Sequence, residues 1–398
     1  MKKLISFAVF ALLVANTVVA ADQFTLKGKV DGVVGDSAVL SYWTSIGNQS
    51  KVFKYTSKIR QGHFLFKEDL RAPVEAQLEI GGVKIRLYLE PTEMELYIPK
   101  SHPEQFRLKG SETHDDGERL AKGTGALTKL QSEFNDQIQK KSKKMDSIPE
   151  TDPAYKKLLD EKDVLKLRYD SVSALIGKLQ VEFIRMNPNS YYPIVSNIFS
   201  SCLSRSYISV DSARILFDRM PETIRNSSGS RFLNFEIKMK ENVVVGKMAP
   251  DFNTPDMNGK LVKLSDYRVT HYVLLDFWAS WCVYCVKGLP HMNELYNKYH
   301  NKGLELIGVS CDWSKADWLT AVDKHQIGAW PQVSIVQSLE KAAQGYLFDE
   351  DIQCKYPTDG IPKYILIDKT GKIIAKWEGY SEENEKNQDK VLKEVFGE

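Results

Sequence analysis

Hydrophobic and polar residues alternate through residues 24–109. The clearest run is Val74-Glu75-Ala76-Gln77-Leu78-Glu79-Ile80, then Gly81-Gly82, then Val83-Lys84-Ile85-Arg86-Leu87-Tyr88-Leu89. A period of two on both sides of a Gly-Gly pair predicts a tight hairpin. Folding about that turn sets Glu79 opposite Lys84 and Gln77 opposite Arg86 on a polar face. Residues 24–30 and 63–66 read as further strands. The expectation is a small antiparallel β-sandwich over residues 21–111, and nothing in it suggests chemistry.

The period then changes. Leu127, Leu130, Phe134 and Ile138 mark one amphipathic helix, and the stretch between Ser147 and Pro153 interrupts it. Asp152-Pro153 is suited to cap and begin a second helix. In that helix Leu158, Leu165, Val172, Leu179 and Met186 recur every seven residues, with Tyr169, Ile176 and Phe183 four after matching positions. This is a helix-packing seam. An intramolecular hairpin is favoured, because the break supplies an antiparallel partner at low loop-closure cost. A homodimer through the helical region is the alternative. Asn187-Pro188 ends the helix, and shorter helices complete a spacer over 112–244.

From residue 245 strands and helices alternate. Strands are expected at 272–277, 304–310, 364–368 and 373–377, and helices at 282–300, 318–325 and the C-terminus. That order implies an α/β domain with a partly parallel sheet over 245–398. The whole chain is therefore expected to be multidomain α+β.

Charge adds little, with 54 Lys and Arg against 52 Asp and Glu. There is no basic stripe, so nucleic-acid binding has no support. The N-terminus changes the picture more. Lys2-Lys3, an apolar run over residues 4–14 and the small residues ending Val18-Val19-Ala20 read as a secretory signal over 1–20. The expected mature protein starts at Ala21, is exported or periplasmic, and has no later apolar run able to span a bilayer.

Five cysteines are too few for a disulfide scaffold in so long a chain. Cys202, Cys311 and Cys354 are scattered, Cys311 at the end of an apolar strand and Cys354 in an expected loop. Cys282 and Cys285 are three apart and fall where a buried strand gives way to a helix. There the free backbone N–H groups and the helix dipole favour a thiolate, so Cys282 is expected to be the nucleophile with a lowered pKa. Cys285, one turn further in, is expected to resolve the mixed disulfide. A zinc site would need two further ligands, which no matching spacing supplies, so no metal or cofactor is expected. A passive disulfide over three residues would add little constraint.

Within Tyr272-Val273-Leu274-Leu275-Asp276-Phe277-Trp278 one carboxylate sits in an apolar run. Burial would raise the pKa of Asp276, and the resolving thiol needs a group to take its proton. Asp276 is expected to be that group, rather than an Asp on a half-exposed strand.

Trp278-Ala279-Ser280-Trp281-Cys282-Val283-Tyr284-Cys285 resembles the active-site signature of thioredoxin-fold thiol-disulfide oxidoreductases, more specifically the TlpA/ResA-like branch of the bacterial envelope. Met248-Ala249-Pro250-Asp251-Phe252, Gly308-Val309-Ser310-Cys311-Asp312 and Gly360-Ile361-Pro362 continue the match. The resemblance covers 245–398 and implies a thioredoxin-like domain. It implies that Pro290 kinks the active-site helix and that Pro362 is cis beside the dithiol, with the Ile361 backbone offered to substrate. Trp281, Ile361 and Pro362 are then the expected substrate-binding residues, and Asp276 matches the buried acid of thioredoxin. Three departures from the pattern stand out. Val283-Tyr284 replaces Gly-Pro, Gly288 stands where the branch often has a glutamate, and Lys363 replaces a threonine and is expected to add positive charge beside Cys282.

The expected activity is thiol-disulfide oxidoreduction, reducing protein disulfides with electrons from an envelope donor. One alternative is a partner-binding scaffold with a docking thioredoxin-like domain. Another is a thiol peroxidase, against which stands Ala279 three residues before Cys282, where peroxiredoxins have threonine.

Overall fold

The computed structural model describes residues 23–32, 35–46, 49–149, 151–335 and 352–398. The expected signal segment 1–20 lies outside them. The chain divides into a β unit within residues 23–114 and a larger unit that takes in 115–398.

The β unit contains β1 (Gln23–Val30), β2 (Ser37–Ile46), β3 (Gln49–Lys58), β4 (His63–Asp69), β5 (Val74–Ile80), β6 (Val83–Leu89), β7 (Glu93–Ile98) and β8 (Arg107–Lys109). They form two four-stranded sheets, β4-β1-β7-β8 and β3-β2-β5-β6. Phe24, Leu26 and Phe66 of one sheet share a core with Leu40, Leu78 and Leu87 of the other, as the alternation of inward apolar residues dictates. The β5–β6 hairpin has the expected register, with Gln77 opposite Arg86 and Glu79 opposite Lys84. One pairing departs from the antiparallel expectation: β1 runs parallel to β7.

Two long helices, α1 (Glu112–Met145) and α2 (Pro153–Met186), open the helical segment. Asp152 caps α2 by accepting from the Ala154 amide at 2.8 Å. The two helices fold against each other, with Gln131 Nε2 donating to Ser173 Oγ at 2.7 Å and Lys141 paired with Glu161. Leu165, Val172, Ile176 and Phe183 are buried on α2, but Leu179 and Met186 are exposed. A straight helix drifts about 20° for every seven residues. The seven-residue repeat therefore leaves the buried face after Val172, and the residues four further on take it over.

Five shorter helices follow: α3 (Tyr192–Val195), α4 (Ile198–Ser204), α5 (Val210–Asp218), α6 (Glu222–Arg225) and α7 (Ser228–Glu241). They close around Phe199, Cys202, Phe217 and Ile237. The segment is tied to the α/β part, where Lys240 pairs with Asp359 and Lys376 Nζ donates to Val243 O at 3.0 Å.

The α/β part begins with a small hairpin of β9 (Asn253–Pro255) and β10 (Leu261–Lys263). Its main elements are β11 (Tyr272–Trp278), α8 (Val283–Tyr299), β12 (Leu304–Ser310), α9 (Lys315–His325), β13 (Gln332–Ser334), β14 (Lys363–Ile367), β15 (Ile373–Glu378) and a final helix Glu382–Phe396. The sheet order is β13-β12-β11-β14-β15. β11, β12 and β13 are parallel, and β14 and β15 run antiparallel to their neighbours. Leu274 and Trp278 of β11 pack with α8 and the final helix, while Val273, Leu275 and Phe277 pack on the opposite face with Phe252 and Tyr356. This is the central, doubly covered strand that the apolar run 272–277 requires. Among the described residues no helix is long and apolar enough to cross a membrane.

Candidate active site

Cys282 is the N-cap of α8, just beyond the end of β11. It forms a disulfide with Cys285, with Cα atoms 5.2 Å apart. The backbone N–H of Cys285 donates to Cys282 Sγ at 3.1 Å. An N-terminal helical N–H that lacks a backbone acceptor is thus directed at sulfur. Cys282 is 7 % exposed and Cys285 1 %. Cys282 is thus the more exposed residue of the two, although both are buried.

Ile361 O lies 3.7 Å from Cys282 Sγ. The Ile361–Pro362 peptide is cis, and it is the Ile361 carbonyl that the structure brings to the dithiol. Pro290 lies within α8. Trp281 stands on the rim, 56 % exposed, with its ring 5.9 Å from that of Trp313, itself 78 % exposed. Tyr284 stacks with Tyr380 at 6.4 Å, and the ammonium groups of Lys287 and Lys166 approach its ring at 5.6 and 6.0 Å. The aromatic rim is thus held by residues from α2, α8 and the loop after β15.

Asp276 is buried on β11, in alternation with Leu274 and Trp278 and so on the face that carries α8. Among the described residues its Oδ1 has no hydrogen-bond partner. Burial alone pushes its carboxyl up to about 7. Tyr364 of β14 lies directly opposite in the ladder.

Tyr364 also accounts for Gly288. A Cβ at 288 would stand 2.8 Å from Tyr364 Oη, so the buried tyrosine occupies the space a side chain on that turn of α8 would need.

The expectation for Lys363 needs correction. Its neighbours in alternation, Ile365 and Ile367, pack on the sheet face opposite α8. The ammonium donates to Pro357 O at 2.8 Å, and burial, reinforced by Lys376, pushes it down to about 8. A strand alternates its side chains, and at 363 the alternation points away from the active-site helix.

The remaining described thiols are buried or nearly so. Burial pushes Cys202 and Cys311 each up to about 12, which leaves both as thiols at neutral pH. Residue 354 sits in a single helical turn, Ile352–Lys355, rather than a loop, and its side chain lies outside the described residues.

Two further side chains shape the site. Asp312 is 1 % exposed. It accepts from the Ser280 amide at 3.0 Å, Ser280 Oγ at 2.6 Å and Ser310 Oγ at 2.8 Å, fastening the loop before Cys282 to the end of β12. Gln332 accepts from Trp278 Nε1 at 3.3 Å and donates to Ile327 O at 2.9 Å. It crosses β12 over Gly308, where a Cβ would meet its amide at 2.2 Å. Asp312 and Gly308 belong to a motif visible in the sequence, but what each does depends on partners distant along the chain.

Residues 245–389 match the model of the AhpC/TSA family. Thiol-disulfide oxidoreductase ResA of Bacillus thuringiensis subsp. konkukian is 31% identical over 156 residues, which are 39% of this chain and 81% of the relative. ResA of Bacillus anthracis is 33% identical over the same shares. The solution structure of a thiol:disulfide interchange protein from Bacteroides sp. is 29% identical and covers 39% of this chain and 93% of its own, with a TM-score of 0.33. A cysteine pair closed at the head of a helix and a relative matched over four-fifths of its length agree: this chain belongs to the ResA family of thiol-disulfide oxidoreductases.

Proposed function

We propose that the protein is an exported reductant of protein disulfides that works through a mixed disulfide at Cys282. Residues 1–20 act as its export signal. The observation that carries the reading is the environment of one sulfur, Cys282 Sγ. It receives the Cys285 N–H at 3.1 Å and lies 3.7 Å from the Ile361 carbonyl.

In the reduced enzyme the Cys282 thiolate attacks a substrate disulfide, forming a Cys282–substrate bond and releasing the first substrate sulfur as a thiolate that takes a proton from water. Cys285 then gives its proton to Asp276 and attacks Cys282 Sγ. The second substrate sulfur leaves, and the enzyme closes the Cys282–Cys285 disulfide. Two electrons pass from enzyme to substrate, and an envelope dithiol donor returns them. The exposed Trp281 ring and the backbone at Ile361-Pro362 hold the substrate segment beside the sulfur.

The test is capture. Cys285→Ser incubated with oxidised insulin is expected to accumulate a disulfide-linked adduct that Cys282→Ser does not form. Equal insulin reduction by the wild-type and Cys282→Ser proteins would instead favour the scaffold reading. The AhpC/TSA match keeps peroxidase activity as a second reading. Ala279 in place of threonine stands against it, and consumption of hydrogen peroxide by the reduced protein tests it.

A further inference from the structure

Among the described residues one face of α2 is left uncovered. Val164, Leu167, Leu175, Leu179 and Met186 are all exposed on it, from 42 % at Leu179 to 69 % at Met186. At about 100° per residue Val164, Leu175 and Met186 fall within roughly 40° of one another, with Leu167 and Leu179 on either side. Single exposed apolar residues are ordinary, but a row of them along six turns is not. Lys166, which reaches Tyr284, precedes Leu175 by about two and a half turns and so projects from the other side of the helix.

We propose that a second copy of this chain covers this face, with the two α2 helices antiparallel about a two-fold axis beside Leu175. The outward stripe reads Val164, Arg168, Ser171, Leu175, Leu179, Glu182, Met186. Its spacings of four, three, four, four, three and four are the same in both directions. The axis sets Val164 on the partner's Met186, Arg168 on the partner's Glu182, Ser171 on the partner's Leu179, and Leu175 on its own counterpart. Each contact occurs twice apart from the central one, as an isologous interface requires. A small residue faces a large one, and opposite charges meet. A parallel pairing would instead stack Arg168 on Arg168 and Glu182 on Glu182, and like charges in contact disfavour it.

The eleven-residue spacing of Val164, Leu175 and Met186 suits nearly straight helices, in contrast to the seven-residue seam, whose Leu165 and Val172 are buried within the chain. The contact is about 33 Å long. A single helix pair of that length is at the small end of specific interfaces, so the dimer is expected to be concentration-dependent.

Sedimentation equilibrium of the chain from Ala21, between about 1 and about 200 µM, is expected to show a reversible dimer. Arg168→Glu should weaken it about tenfold, and Arg168→Glu with Glu182→Arg should restore it. Circular dichroism of each variant should match the parent, and Leu175→Lys is a second disrupting variant. Geometry is tested by oxidative crosslinking in a Cys282→Ser, Cys285→Ser background. Leu175→Cys should link two copies, Val164→Cys should not, and Val164→Cys with Met186→Cys should. A monomer throughout the range, a dimer indifferent to Arg168→Glu, or crosslinking by Val164→Cys alone would each overturn the proposal.

Discussion

The backbone N–H of Cys285 donates to the sulfur of Cys282 across 3.1 Å. The contact is present in the closed disulfide, so the donor is already in place when reduction leaves negative charge on that sulfur. Stabilisation set up in advance needs no rearrangement during the reaction. In the reduced protein Cys282 is expected to react with iodoacetamide at pH 7 at least about tenfold faster than Cys285. Peptide mapping of the alkylated protein measures the ratio.

Asp276 should leave its mark on both stability and rate. Its carboxyl ionises at 3.8 when unperturbed and is pushed up to about 7 in the fold. The folded state therefore holds a proton that the unfolded state releases. Stability is full below pH 4, falls as the pH rises toward 7, and stays low above it. The displacement from 3.8 to about 7 corresponds to on the order of 4 kcal/mol. Asp276→Asn should abolish this slope and be more stable than the parent at pH 8 by about 2–4 kcal/mol. The same variant should resolve mixed disulfides more slowly and lose the inflection near pH 7. Urea unfolding and turnover, each from pH 5 to pH 9, test the two halves separately.

Asp312 predicts a different pattern, a loss of order near Cys282. Asp312→Ala leaves the half-buried Ser280 amide and the buried Ser310 hydroxyl without their acceptor. The expected cost is about 2–4 kcal/mol. The loop over 279–281 should exchange amide protons faster, and turnover should fall even at temperatures where the variant remains folded. Hydrogen exchange by mass spectrometry locates the change.

Gly308→Ala should destabilise by about 2–4 kcal/mol, although nothing at 308 touches the sulfurs. The new methyl group would displace Gln332 and remove the acceptor of the buried Trp278 indole. Gln332→Ala makes room for that methyl group, so the double variant should lose less than the sum of the singles. Thermal unfolding of the three proteins measures the coupling.

The rim tests substrate size. Trp281→Ala should raise KM for a protein disulfide about tenfold, with kcat within about twofold of the parent. A small disulfide such as oxidised glutathione, which cannot reach across the rim, should be reduced at the parental rate. Trp313→Ala should shift KM in the same direction by less, because its ring touches the substrate face through Trp281.

Local patterns carried much of this structure. The β5–β6 hairpin follows from an alternating sequence about Gly81-Gly82, and its register follows from that turn. Cys282 and Cys285 were legible because a strand end, a helix start and a three-residue interval are all local. What the sequence could not disclose depends on contacts between distant positions. The parallel pairing of β1 with β7 needs the whole sandwich. The direction of Lys363 depends on which face of β14 meets α8. The work of Asp312 becomes visible only when the end of β12 is set beside Ser280. The helical seam was half legible, because a seven-residue repeat describes a supercoiled pair and α2 drifts out of it.

Tyr284 is gripped from outside its own helix. Lys166, more than a hundred positions earlier in the chain, reaches over its ring while Tyr380 stacks against it. The helical arm therefore contributes a cation to the mouth of the redox centre. A C-terminal fragment cut near residue 245 would keep both cysteines yet present them under a different electrostatic potential. Measurements on such a fragment would lack this cation and the ring contact it makes.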